Sequence, residues 1–486
     1  MLFNSFDFAI FLPLIFILYW FVAQKNLGLQ NLLIVLASYT FYGWWDWRFL
    51  SLILFSSIVD YLVGLGMNRY ESQLKRKILL WTSITVNLGF LGFFKYYNFF
   101  VESFASTFSF FGRDINVNTL DIILPVGISF YTFQTLSYSI DIYKKKLEPT
   151  KNFITFSAFV SFFPQLVAGP IERATNLLPQ FYKKREFDLH LAVDGMRQIL
   201  WGLFKKIVIA DNCAEFANLM FNDPTQYSGS ALLIGAVFFA FQIYGDFSGY
   251  SDIAIGTSRL FGFNLKRNFR YPYFARDIAE FWRRWHISLS TWFRDYLYIP
   301  LGGSKVGTLK KIRNTLIIFV VSGFWHGANW TFIIWGALNA LYILPLILRS
   351  KNRKHLTEVA EGKMLPSLRE LGSILLTFGL TTIAWVFFRA KSVEAAFEYI
   401  AGIFKPSFFS LPKGEDFVGT ALHPLLLISI LFTFILVEWI GRGQEHAMAT
   451  LGSKWNRTLR FGMYYAIIVA IFWFGGREQQ FIYFQF

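Results

Sequence analysis

An ionisable ring inside an apolar run is the first place to look for chemistry. In VVSGFWHGANWTFIIWG, Val320 to Gly336, His326 sits beside Gly327 and Asn329 in a stretch that otherwise reads as membrane-spanning. Charged residues at membrane depth cost about 2.5 kcal/mol or more on insertion scales, and a neutral imidazole still needs a partner there. Histidine can act as general base near neutral pH because its pKa lies close by. It can equally be a core residue hydrogen-bonded across helices, and the residue types alone leave both readings open. Gly323 and Gly327 would let backbone or ligand approach closely. Asn329 could donate or accept hydrogen bonds nearby.

A second histidine, His286, lies in AEFWRRWHISLSTWFRDYLYIPLGG. Phe281, Trp282, Trp285, Leu289, Trp292, Phe293 and Tyr296 fall at helical spacing on one broad face, with Arg283, Arg284, Arg294 and Asp295 filling much of the rest. That pattern predicts an interfacial amphipathic helix with aromatic anchors at headgroup level. Arg283 and Arg284 could bind phosphates, of lipid or of a nucleotide-bearing donor. In QIYGDFSGYSDIAIG, Asp246 and Asp252 fall within an apolar segment and read as structural buried acids. Such carboxylates need cations, and Arg259 or an arginine of the amphipathic helix could serve; the functional alternative is a proton or cation path. Gly245 and Gly249 form a small-xxx-small pair suited to close helix packing.

These residues must be positioned by a membrane scaffold. The 486-residue chain is 55% hydrophobic and 20% aromatic but only 16% charged, against about 25% charged in soluble domains. Apolar segments fall near 8–23, 30–46, 48–66, 78–101, 119–142, 153–170, 193–221, 230–262, 312–349, 368–389, 421–440 and 459–475. The fold expected is an all-α polytopic membrane protein with about 11–12 membrane segments, some re-entrant or half-length, plus amphipathic interfacial helices. No polar stretch exceeds one helix in length, so residues 1–486 read as a single transmembrane domain with no separate soluble domain.

The net charge of +15 sits in short clusters between apolar runs, which the positive-inside rule explains without nucleic acid. Loops 69–77, 144–152, 350–367 and 441–458 should be cytoplasmic, and 104–118, 222–229, 405–420 and the C-terminus should face outward. The N-terminal apolar run lacks a basic start and a small-residue cleavage site, and reads as a retained helix. FSAFVSFFPQLVAGPIER carries Pro164 and Gly169-Pro170 inside an apolar run, which predicts a re-entrant hairpin, with two ordinary short helices and a bend as the alternative. Residues Ile312 to Leu348 are too long for one crossing and lie between basic loops, so one helix should rise from Asn314, turn near Gly323 to Asn329, and return toward Arg349.

Cys213 is the only cysteine, which excludes an intrachain disulfide framework or thiolate metal site; no metal is expected. The chain has no Walker-type Gly-Lys-Ser/Thr, dinucleotide Gly-x-Gly-x-x-Gly or His-Glu-x-x-His, which disfavours an ATP-driven pump and a zinc protease.

FWRRWHISLSTWFRDYLYIPLGG and VSGFWHGANWTFIIWG together resemble the membrane-bound O-acyltransferase family. DFSGYSDIAIG, FFPQLVAGPIERATNLLPQF and the terminal FIYFQF are similar to its bacterial, alginate-type branch. The resemblance implies that His326 is the catalytic histidine and that His286 matches the second characteristic polar position. It also implies a helical bowl pierced by a central tunnel. Ser322, Trp325 and Asn329 around one histidine, and Arg283, Arg284 and Trp285 around the other, are then the candidate donor-binding or tunnel residues.

The function this implies is transfer of an acetyl group from a cytoplasmic thioester, acetyl-CoA, toward an extracytoplasmic polysaccharide, with no bound cofactor. An exported acetyltransferase or carrier protein would be the partner, and membrane lipid the surroundings, in the bacterial inner membrane. D-alanyl transfer from a carrier protein to a cell-wall polymer is the rival within the enzyme class. A polysaccharide or lipid flippase is the rival outside it, and the chain shows none of the internal repeats common in transporters. A purely structural scaffold is a third reading.

Overall fold

The computed structural model describes residues 1–113, 115, 117–412, 417 and 420–482. Among these residues the architecture is entirely helical, with no strand. The chain forms two compact units: Met1–Val193 with Thr257–Lys266, and Asp194–Gly256 with Arg267–Phe486.

In the first unit, 20-residue helices Leu27–Asp46 and Leu50–Arg69 are followed by Gln73–Leu91 and Ile128–Tyr143. Asn26 caps the first of them by accepting from the Leu29 N–H, which satisfies a donor that no helical turn can reach. Between these helices Asp60 is wholly buried and accepts hydrogen bonds from Ser83 (2.5 Å), Asn87 (2.8 Å) and Ser139 (3.1 Å). Neutral donors on neighbouring helices thus act as interhelical glue.

The proline-broken segment folds as Phe153–Ser161, a bend at Phe162, then the short helix Phe163–Leu166 and a second short helix Ala174–Leu177. Every residue from Thr155 to Ile171 is buried. Irregular backbone is covered by protein there, as the physics of a dry environment requires.

In the second unit, helix Gly229–Leu260 is packed by its glycines. A Cβ at Gly249 would stand 2.7 Å from the Gly202 carbonyl oxygen, and one at Gly256 would stand 2.4 Å from that of Gly195. The small-xxx-small reading therefore describes real backbone contact with the 32-residue helix's neighbour. The loop 350–367 is no separate body, because Val359 and Ala360 are buried in a cluster with Ile374. The tail packs back onto its own unit. Phe481 and Ile482 are buried, and the Gln479 carbonyl accepts from Lys206 at 3.0 Å. Tyr483 to Phe486 of the terminal motif lie outside the described residues, as do parts of loops 104–118 and 405–420.

Five stretches are long and apolar enough to cross a membrane by length and composition: Leu27–Arg69, Gln73–Phe110, Gly229–Leu260, Trp330–Leu348 and Leu368–Arg389. The first two contain more than one helix. Helices Phe6–Val22 and Pro424–Ile440 are apolar but shorter, and segment 193–221 is interrupted by a π-turn at Phe204–Ala210. Exposed Leu74, Ile78, Trp81 and Leu88 on one helix give it an apolar outer face suited to lipid. The chain is a multi-pass membrane protein.

Candidate active site

The expected helical hairpin is present, with arms Thr308–His326 and Trp330–Leu348 of 19 residues each. At about 1.5 Å per residue each arm is about 28 Å long, and Trp330–Leu348 is apolar enough to cross a membrane. His326 is the last residue of the rising arm. Gly327 ends that arm in extended backbone, and Asn329 starts the next by accepting from the Thr331 N–H at 3.0 Å. The hairpin is tight because Gly323 and Gly336 carry no side chain. A Cβ on either would come within 2.2 Å of a carbonyl oxygen of the opposite arm, Phe332 and Phe319 respectively. The close approach at Gly323 is therefore helix to helix.

This seam holds the His326 ring in an aromatic enclosure. Its centroid lies 4.9 Å from that of Trp325, 5.1 Å from Trp335 edge-on, and 5.4 Å from Phe388. The ring is only 3% exposed.

His286 approaches from a different element. The single amphipathic helix expected over this region is not formed. The chain makes two seven-residue helices, Ile278–Arg284 and Ile287–Phe293, and breaks between them. Nor is the aromatic face interfacial, since Phe281, Trp285, Leu289, Trp292 and Phe293 are all buried. Periodicity identified the face correctly, but it cannot distinguish a surface from a second protein layer. At the break His286 adopts a left-handed conformation, φ +43°, uncommon for any residue other than glycine. Asn268 holds it there. The Asn268 Oδ1 accepts the Ser288 N–H (3.2 Å) and Oγ–H (2.9 Å), and lies 3.2 Å from the His286 Nδ1. A backbone N–H fixes which end of the amide is the oxygen, so His286 must donate from Nδ1. In the neutral ring the lone pair is then on Nε2.

The two imidazoles stand 6.3 Å apart, centroid to centroid, with the Trp325 ring 6.1 Å from His286. Phe247 closes the other side of His286 at 4.7 Å, edge-on. Of the residues named from sequence, the structure thus brings together His286, Trp325 and His326, with Ser322 buried one turn earlier on the same arm. Others have structural occupations. The Asn329 amide is a helix cap that also donates to the Lys391 carbonyl at 3.0 Å. Trp285 packs among Phe281, Phe269 and Trp385.

Arg284 is ion-paired to Glu280 at 2.9 Å, and Arg283 donates to the Asn352 and His355 carbonyls. Neither guanidinium is held for a headgroup alone. Burial works to raise the Glu280 carboxyl, but hydrogen bonds and charge from Arg276 and Arg284 outweigh it and hold it below its ordinary value.

The buried acids are paired, but not with the expected arginine. Asp252 pairs with Lys205 at 2.5 Å and accepts from Gln198. Asp246 pairs with Lys206 at 2.9 Å, Lys206 also pairs with Asp211 at 2.7 Å, and the Ile482 N–H donates to Asp246. Their cations come from the segment Phe204–Ala210, which supplies both lysines.

Asn268, Trp335, Phe388 and the lysine pair went unnoticed in the sequence. The adjacent lysines in GLFKKIVIAD were a visible signal, being two charges in an apolar run. Asn268 gave none, sitting in a loop among Lys266, Arg267 and Arg270. Among the described residues there is no His, Cys, Asp and Glu grouping that could hold a metal.

The membrane-bound O-acyltransferase family model matches residues 148–356, a span containing both histidines. The probable alginate O-acetylase AlgI of Azotobacter vinelandii is 38% identical over 448 residues, covering 91% of this chain and 85% of that protein. The peptidoglycan O-acetyltransferase of Helicobacter pylori is 34% identical, covering 100% and 98%. The teichoic acid D-alanyltransferase of Bacillus subtilis is 28% identical over a smaller part, 56% of this chain and 70% of that protein. The chain belongs to the membrane-bound O-acyltransferase family. It is an O-acyltransferase, and its full-length relatives act in O-acetylation.

Proposed function

We propose that the protein transfers an acetyl group from a cytoplasmic thioester, acetyl-CoA, to a hydroxyl on the outer side of a bacterial inner membrane, for polysaccharide O-acetylation. The whole chain would form one catalytic membrane domain. The observation that carries this reading is the pairing of His286 and His326. They are brought to 6.3 Å of each other inside one aromatic enclosure from separate elements, in a family of acyltransferases.

His326 takes the proton of the acceptor hydroxyl as its oxygen attacks the thioester carbonyl. The carbon–sulfur bond then breaks, and the imidazolium returns the proton to the leaving thiolate, so that one ester and one free thiol result. General-base help of this kind is worth about 10²–10⁴ in rate. His286, with its Nδ1 anchored, presents Nε2 as an acceptor that orients the reacting groups. The surrounding tryptophan and phenylalanine rings exclude bulk water, which would otherwise hydrolyse the thioester. Trp325 and Ser322 line the reaction volume in this reading. A tunnel would admit donor and acceptor from opposite sides. An exported acetyltransferase or carrier would receive the group and act on the polymer.

The test supplies inside-out vesicles with labelled acetyl-CoA or labelled D-alanyl carrier protein, and follows which label reaches the lumen. Acetyl transfer that disappears with His326→Ala supports the proposal. D-alanyl transfer alone would replace the acetyl reading with the rival the teichoic acid relatives suggest.

A further inference from the structure

One layer behind the histidines the protein leaves a cavity of about 410 Å³. Tyr244 and Tyr273 line it, and their rings lie 6.2 and 6.0 Å from that of Trp285. Trp285 packs 5.0 Å from Trp385, which stacks at 5.6 Å on Trp335, the edge-on neighbour of His326. A continuous run of rings therefore joins the cavity wall to the reaction centre. Rings that face a void lose dispersion contacts on that side.

The wall is apolar, with Phe241, Phe274, Ile374, Phe378 and Phe434 supplying much of it. Its polar groups are engaged elsewhere. The Tyr273 hydroxyl donates to the Ala240 carbonyl at 2.5 Å. Glu438, the single charged side chain among the lining residues, accepts from Tyr244 at 2.5 Å and from the Trp201 indole at 3.0 Å. Water inside would find few of the about two to four polar partners it needs.

The mouth opens toward lipid. Leu375 and Leu436 line the cavity yet are 60% and 44% exposed, and they belong to the apolar helices Leu368–Arg389 and Pro424–Ile440. Trp439, also a lining residue, lies in the last turn of the second helix. Its indole N–H donates to the Met364 carbonyl, and the Arg442 guanidinium stands 4.3 Å from its ring centroid. Such residues are typical of the headgroup level. A partner helix, about 10 Å across, would cover this mouth without filling the interior. An apolar cavity of about 150 Å³ already takes a benzene-sized guest, so this one has room for an extended hydrocarbon chain.

We propose that one acyl chain of a membrane phospholipid occupies this cavity as a bound, non-reacting co-ligand, with its headgroup at the Trp439 end. The chain completes the packing behind Tyr244 and Tyr273, and so stiffens the run of rings that ends at His326. The site is independent of which acyl group the enzyme transfers.

The test maps the lipid with the full chain in nanodiscs whose phosphatidylcholine carries a diazirine on its acyl chain. Phe434 is 1% exposed, so an adduct on it requires a chain inside the cavity. Adducts on Phe434 and Phe378 are expected, and they should be lost in Leu375→Trp/Leu436→Trp, which fills the mouth. Adducts on the exposed Leu74, Ile78 and Trp81 should persist in both proteins. Leu375→Trp alone, at an exposed site, carries the same test if the double variant does not insert, with Phe434 adducts lowered relative to those on Trp81. Hydrogen exchange reads the stiffening, on protein stripped of lipid in a steroidal detergent that has no straight chain to offer. Adding phosphatidylcholine back should slow exchange of the amides around His326 by about two- to thirtyfold, the span of coupling carried by packed side chains. The plugged variant should show no such response. Absence of Phe434 adducts, or adducts unchanged by the plug, would overturn the proposal. Equal slowing in the plugged variant would overturn the stiffening, and recovery of an acetylated or deacylated lipid would overturn the non-reacting role.

Discussion

The two histidines sit at two helix breaks of opposite kinds. The break after His326 is built from residues that cannot continue a helix well: Gly327 in extended backbone, then Asn329 as cap of the next arm. The break at His286 has neither glycine nor proline. It consists of a histidine in the left-handed region, with Asn268 gripping both the ring and the first turn of the following helix. One junction is written in local backbone chemistry, and the other is imposed by a tertiary hydrogen bond. A tertiary grip can hold a catalytic ring in a chosen tautomer, whereas a glycine turn fixes only where the chain goes.

Four substitutions sharpen that contrast. The largest effect is expected away from both junctions, in the buried ion network. Lys206→Met leaves Asp211 and Asp246 without their shared cation. Breaking a buried pair costs about 3–5 kcal/mol, so this variant should be lost from the membrane fraction or melt far below the unaltered protein. Asn268→Ala comes next. It releases the His286 ring, and misplacement by about 1 Å can cost about 100-fold in rate. Transfer should fall by that order, with the acetyl-CoA Kd little changed. A lowered melting temperature with an unaltered rate per folded molecule would show that Asn268 only holds the backbone.

Gly323→Ala puts a methyl against the Phe332 carbonyl at 2.2 Å. Overpacking of this kind costs about 1–3 kcal/mol, read as a lowered melting temperature. Asn329→Ala removes a cap, about 1 kcal/mol. If the cap role is its whole contribution, melting drops slightly and transfer per folded molecule is unchanged. A large loss of transfer would restore Asn329 to the reaction centre.

The same contrast explains what could be read from the sequence. The turn after His326, the glycine-packed helix at Gly245 and Gly249 and the proline-broken stretch at Pro164 are local or periodic signals, and each has its counterpart in the fold. The partners of the buried acids were misassigned because Arg259 is near in sequence, while Lys205 and Lys206 are near only after two helices pack. The break at His286 was invisible for a related reason. Its aromatic face keeps helical spacing straight through the interruption, and the residue that enforces it, Asn268, is eighteen positions away. The family resemblance paired the two histidines before any geometry did; spacing alone gave no reason to bring them together.

The central claim is that His326 moves the proton of the acceptor hydroxyl while His286 only orients. The direct measurement is the rate of labelled acetyl transfer in vesicles containing equal amounts of inserted His326→Ala, His286→Ala and unaltered protein. The account predicts a fall of about 10²–10⁴ for His326→Ala, with coenzyme A binding retained and a smaller loss for His286→Ala. Full transfer by inserted His326→Ala would contradict it.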